Sequence, residues 1–280
     1  MPRIPAAYVD SVVYLYEAIE AAELNEPTGG CGVIVAVEDD QAPDSYYPYI
    51  VTNAHVAKEY RVVKYKTGNG PQYVDLSTAQ WFYHPDGWDI AVCPLPLDDS
   101  SSHDFFMVPQ TAFMTEMLME EIPLRHGDEL FMVSRYVGNA RDLDDEPIVR
   151  FGTLAKTHPV LREDGDGKDQ ESFLAEMRSL PGHSGSPTFV YFYGMQARLG
   201  ADDIEHLPEP GIYMLGIDWS HPSVKRKLLS GLHPGEVFGN FYVEENSGLA
   251  CIVPAWRIAE ILSNDQLKEA RQGADTVIVR

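Results

Sequence analysis

Residues 49–56 read Tyr49-Ile50-Val51-Thr52-Asn53-Ala54-His55-Val56. A β-branched apolar run stops at the polar pair Thr52-Asn53, which suits a turn, and a histidine follows at once. The same grammar extends in both directions. Residues 11–16, 32–37, 61–66, 79–83 and 90–94 are short runs rich in Val, Ile, Tyr and Phe, parted by Gly, Pro, Asn and Asp clusters. Residues 129–134, 148–154, 172–176, 188–192, 211–218 and 247–253 repeat it, with polar loops at 142–146, 163–169 and 198–210. Strands that follow one another through turns, without intervening helices, predict an all-β sandwich or barrel. Between the two sets, residues 98–121 mix Ser, Asp, Met and Phe without a period, which predicts a connection with one helical turn near 115–120. From Pro254 onward, Trp256, Ile258, Ala259, Ile261, Leu262 and Leu267 recur at helical spacing, predicting a C-terminal helix over 254–272 on the second half. There is no internal repeat.

The bulk numbers bound the function. A length of 280 residues can bury a sizeable core in one or two domains. Hydrophobic residues at 44% beside 23% charged ones are ordinary for a globular protein, and no run reaches the roughly 18 apolar residues of a membrane span. With 21 basic against 43 acidic residues the net charge is −22, which argues against nucleic acid and against anionic lipid. A basic or neutral substrate fits that field better than a very acidic one, unless a local patch reverses it. Residues 1–16 carry Arg3 and Asp10 and lack the pattern of a secretory leader. Cys31, Cys93 and Cys251 are odd in number and widely spaced in apolar runs, so neither disulfides nor zinc are expected and a reducing, cytoplasmic setting is. A cysteine nucleophile is the open alternative to three buried structural thiols.

The chemistry is carried by Gly182-His183-Ser184-Gly185-Ser186-Pro187 together with two upstream segments. A serine hydroxyl needs an imidazole to take its proton and a carboxylate to fix that imidazole's tautomer. His55 supplies the first, and Asp89, in Asp89-Ile90-Ala91-Val92, the second. His55 precedes Asp89 by 34 residues and Asp89 precedes Ser184 by 95, so two groups lie on the first half and the nucleophile on the second. No cofactor or metal is expected. Asp164-Gly165-Asp166-Gly167-Lys168-Asp169 lacks the spacing and closing glutamate of a calcium loop, and His84 and Asp86 are expected to shape the turn that carries Asp89.

These segments resemble the trypsin-like, chymotrypsin-fold serine proteases of clan PA, most closely the bacterial HtrA-type protease domain without its PDZ module. The likeness rests on Gly32-Val33-Ile34-Val35, on the His55, Asp89 and Ser184 segments, on Arg150-Phe151-Gly152-Thr153-Leu154, on Leu215-Gly216-Ile217 and on the stretch from Leu249 to Ile261. It implies one unit over residues 1–280: Greek-key β-barrels over 8–97 and 122–253, a connection over 98–121 and a closing α-helix. It further implies a serine endopeptidase that works through an acyl-enzyme on a polypeptide substrate, with the backbone N–H groups of Gly182 and Ser184 as oxyanion hole. The primary pocket would then be lined by Arg178 and Ser179, faced by Trp219, Ser220 and His221. Arg178 with His221 would select an acidic side chain, or Arg178 would point outward and pair with Glu176 or Asp218; both remain open at this point. The chain departs from the family at His183, where Asp or Asn is usual, and at Ser186, where a second Gly is. Activation by a new amino terminus pairing with that Asp is therefore not available, and His183 is either a packed or solvent-facing ring with no catalytic part or a regulatory, pH-sensing one. The rival from another class is a catalytically latent protease-fold protein that binds peptides or serves as sensor or effector with a regulatory protein partner. An esterase is a third.

Overall fold

The structure, a computed structural model, describes residues 3–26, 28–39, 42, 45–67, 70–96, 106–135, 146–163, 169–192, 211–229, 237–271 and 277–278. The first half opens with α1 (Ala6–Val9) and α2 (Ile19–Glu23) around β1 (Val12–Tyr16). It continues with β2 (Gly30–Glu38), β3 (Ser45–Thr52), α3 (Ala54–Glu59), β4 (Val62–Thr67), β5 (Gly70–Asp75), β6 (Phe82–Tyr83) and β7 (Ala91–Pro94). In space the strands run β5-β4-β1-β2-β3-β7-β6. β4 returns beside β1 instead of β3, the 4-1-2-3 order of a Greek key. Six residues, 76–81, join the edge strands β5 and β6, and within them Trp81 Nε1–H donates to Leu76 O at 3.4 Å.

Both faces of β1, β2 and β3 are buried, which explains why the sequence shows continuous apolar runs there instead of alternation. Val13, Leu15, Ile34, Ile50 and Val63 fill the inside of the first barrel. Their neighbours Val12, Tyr14, Val33, Val35 and Val51 turn outward and share a second cluster with Phe131, Phe189, Met214 and Val253 of the other half. That shared core fixes the barrels against one another.

The connection holds β8 (Val108–Pro109), parallel to β2, and α4 (Glu116–Glu121), where Thr115 Oγ1 caps the helix by accepting Leu118 N–H at 3.1 Å. The second half contains β9 (Glu129–Ser134), β10 (Ile148–Leu154), β11 (Val160–Glu163), β12 (Asp169–Glu176), β13 (Pro187–Tyr191) and β14 (Ile212–Ser220). The hairpin β15 (Ser223–Leu229) and β16 (Val237–Asn246) follows, and β17 (Leu249–Pro254) returns to the barrel. The path β10-β9-β13-β14-β17-β12 is closed by direct β10–β12 pairing into a six-stranded ring. The protein is thus an all-β pair of barrels. Among the described residues, β15 and β16 pair only with each other, as an arm that leaves the barrel after β14.

The carboxyl end departs from expectation. Instead of one helix over 254–272 there are two, α5 (Ala255–Leu262) and α6 (Asp265–Arg271). The break follows from Asn264, whose Oδ1 accepts Gln266 N–H at 2.8 Å and starts a new first turn. Nor do they sit on the second barrel alone: Arg271 donates to Tyr49 Oη in β3 at 3.0 Å, and β18 (Val277–Ile278) pairs with β3.

Candidate active site

His55 lies in the first turn of α3, directly after β3. Asn53, the residue before that helix, donates from Nδ2 to the Asp89 carbonyl at 2.9 Å. The His55 backbone N–H donates to Asp89 Oδ1 at 2.9 Å, and His55 Nδ1 lies 2.6 Å from Oδ2. Both carboxylate oxygens are engaged by one residue, so ring and carboxylate are locked in register. The Asp89 side chain is only 14% exposed while that of His55 is 52% exposed, which leaves the imidazole accessible and its partner sheltered.

The acid is also held from the other barrel. Asp89 N–H donates to Gln170 Oε1 at 2.9 Å, and Gln170 Nε2 donates to Gly87 O at 3.4 Å. Gln170, in β12, is buried. His84 accepts Asp86 N–H at Nδ1 (3.2 Å) and meets Glu260 of α5 at 2.5 Å through Nε2, so these residues shape the turn before Asp89. Arg257 of α5 lies 2.6 Å from Glu171 and over the Trp88 ring at 5.3 Å. Among the described residues no cluster of three or more His, Cys, Asp or Glu could hold a metal. The segment 164–168 lies outside the described residues.

Ser184 is the second residue of the latter of two consecutive turns, closed by His183 N–H to Leu180 O at 3.0 Å and Ser186 N–H to His183 O at 2.9 Å. Gly182 (φ +93°) and Gly185 (φ +84°) occupy their third positions, where positive φ is required. At Gly185 space forbids a side chain as well: a Cβ would lie 1.9 Å from the Cys31 carbonyl oxygen and 2.5 Å from Thr52 Oγ1. Cys31 N–H donates to Ser184 O at 2.7 Å, and Thr52 Oγ1–H donates to Cys31 O at 2.6 Å. The turn bearing Ser184 is therefore docked on β2 at the point that also holds Thr52, three residues before His55. Among the described residues, the N–H groups of Gly182 and Ser184 donate to no protein acceptor. All three cysteines are buried, and burial raises Cys31 and pushes Cys93 up to about 12.

A family described as the trypsin-like peptidase domain matches residues 30–191, a span that contains all three of these groups. The chain belongs to this family. Among solved structures, this trypsin-like peptidase is similar to the inactive form of Rv3671c protease at 17% identity, over 96% of this chain and 92% of that one, with a TM-score of 0.48. It is similar to the HtrA-type protease AlgW with tripeptide at 13% identity, over 95% and 62% of the two chains, TM-score 0.49. To Deg5 it is similar at 18% identity over 77% and 81%, TM-score 0.44. No curated protein matches it.

Around the peptidase's cleft, the expected pocket residues divide. Ser179 is buried, donates to Asp218 Oδ2 at 2.5 Å, and its carbonyl accepts from Asn246 Nδ2 at the foot of the β15–β16 arm. Asp218, on β14, accepts Gly185 N–H at 2.7 Å through its own carbonyl, linking Ser179 to the turn that bears Ser184. Burial raises the Asp218 carboxyl well above the ordinary range, toward its neutral form. Ser220 and His221 are half-buried. Trp219 is a correction: it is buried, its Nε1–H donates to Ser172 Oγ at 2.7 Å, and its ring packs inward instead of facing the cleft. Arg178 is exposed, not buried, and makes no ion pair with Glu176 or Asp218 among the described residues.

His183 is a packed ring. It is fully buried, its Nδ1 accepts Leu180 N–H at 3.2 Å, and its Nε2 has no partner among the described residues. Burial, then the nearby Arg150, lower its pKa to about 4, so the ring is neutral at pH 7. Gln170, Thr52, Cys31 and Arg150 were not singled out from sequence. Thr52 at least stands inside the segment that ends in His55, whereas a lone Gln carries no sequence signal.

Proposed function

We propose that this trypsin-like peptidase is a serine endopeptidase with Ser184 as nucleophile, His55 as general base and Asp89 as its orienting carboxylate. The observation that carries the reading is the doubly bonded His55–Asp89 pair, on the same structural knot as the Ser184 turn. The Ser184 hydroxyl attacks the scissile carbonyl and passes its proton to His55 Nε2, while Asp89, still ionised, holds the resulting imidazolium. The oxyanion forms in front of the unspent N–H groups of Gly182 and Ser184, where each donor contributes about 3 kcal/mol to the transition state. His55 gives the proton to the leaving amine, and water then attacks the acyl-serine by the same route in reverse. Three free, buried thiols fit a reducing compartment, and a cytoplasmic setting belongs to the same proposal.

Labelling by a fluorophosphonate probe tests the nucleophile. The native chain is expected to take up one probe per molecule, with Ser184→Ala and His55→Ala taking up none. A folded native chain that does not react would favour the latent, peptide-binding reading.

A further inference from the structure

Arg150 and Arg178 make no ion pair or hydrogen bond among the described residues of a protein whose net charge is −22. β10 and β12 pair at Thr153↔Glu176, and a Cβ on Gly152 would lie 2.5 Å from the Glu176 carbonyl and 2.8 Å from Met177 Cβ, so residues 150–152 run closely beside 176–178. Arg150 and Arg178 thereby come near one another, and neither makes an ion pair or hydrogen bond among the described residues. Arg150 is half-buried, and its Nε is a buried donor with no acceptor among the described residues. Burial and the Arg178 charge both depress the Arg150 guanidinium, and Arg150 and His221 both bear on His183, next to the nucleophile. Arg178 adjoins Ser179, which is bonded to Asp218 on β14, and the other side of that residue receives Gly185 N–H. Ser179 and Gly185, the chain neighbours of Arg178 and Ser184, thus meet at one residue of β14. Burial pushes Asp218, the acid within this wall, toward its neutral form.

We infer that Arg150 and Arg178 form a cationic subsite for a side-chain carboxylate of the substrate, at the residue that supplies the acyl group. The substrate class is then a polypeptide cut after Glu or Asp. The local patch reverses the field that an acidic chain otherwise presents to such a substrate. This rests on the endopeptidase reading.

The test uses N-acetylated, C-amidated peptides of one sequence that carry Glu, Gln or Lys at a single position, so that the side chain is the only variable. The native protein is expected to cleave the Glu peptide at least about tenfold better in kcat/KM than the Gln peptide, the worth of one charge-assisted contact. Arg178→Ala and Arg150→Ala should each shrink that ratio toward one, and Arg178→Lys should restore part of it. Equal cleavage of Glu and Gln peptides by the native protein overturns the inference, as does a preference that neither arginine variant alters. The same peptides titrated onto Ser184→Ala separate the two readings. Selective binding of the Glu peptide without cleavage by the native chain keeps the subsite and removes the endopeptidase, while binding without selectivity removes the subsite.

Discussion

Gln170, in the second barrel, accepts the backbone N–H of Asp89, in the first, at 2.9 Å. The acid that orients His55 is thereby positioned by a side chain from across the seam, in addition to the bonds from its own barrel. Gln170→Ala leaves a sheltered N–H and the Gly87 carbonyl without their partner. The loss should be about 1–3 kcal/mol. We expect kcat to fall about tenfold with KM nearly unchanged, because Gln170 acts on the orientation of Asp89 and not on substrate. Steady-state kinetics on a single peptide check this split, and a rise in KM alone would contradict it.

Gly185 is constrained twice, by φ +84° and by the Cys31 carbonyl 1.9 Å from where a Cβ would stand. Gly185→Ala must push the nucleophile turn off β2. A stability loss of about 3 kcal/mol or more, measured by urea unfolding, is expected, together with loss of probe labelling.

His183 makes stability depend on pH in a defined direction. Its folded pKa of about 4 lies below the ordinary 6.5, so between these values the unfolded chain binds more protons. The contribution is fully present above about pH 6.5 and is lost as pH falls toward 4, amounting to about 3 kcal/mol in total. Melting curves across that window should show a shallower acid limb in His183→Gln, which keeps an acceptor for Leu180 N–H, than in the native chain. Identical limbs would place the ring outside this role.

The strand pattern was legible because both faces of β1, β2 and β3 are buried, which leaves unbroken apolar runs in the chain. β5 was not, since Gly70, Pro71, Gln72 and Asp75 leave an edge strand with little to bury. The β15–β16 arm escaped for a related reason: it is held by cross-strand pairs such as Lys225–Glu244 at 3.4 Å and Arg226–Glu245 at 2.7 Å, not by a core face. The order of His55, Asp89 and Ser184 pointed to the site, yet Gln170 and Arg150 reach it only through strand pairings far apart in sequence. Trp219 was placed in the cleft by its neighbourhood, whereas its indole N–H finds a buried acceptor in Ser172.

The cysteines give a direct check on the interior. All three are buried, and the Cys93 thiol at about 12 is protonated at any ordinary pH. A thiol reagent at pH 8 should modify the native chain slowly and titrate three groups rapidly once urea unfolds it. Fast reaction of a native cysteine would reopen the possibility of a thiol nucleophile.

The central claim is met most directly by incubating an unfolded protein substrate with the native chain and with Ser184→Ala, and reading the fragments by mass spectrometry. Internal peptide bonds cut by the native chain and left whole by the variant are the predicted result. Fragments produced equally by both, or by neither while both remain folded, would contradict it.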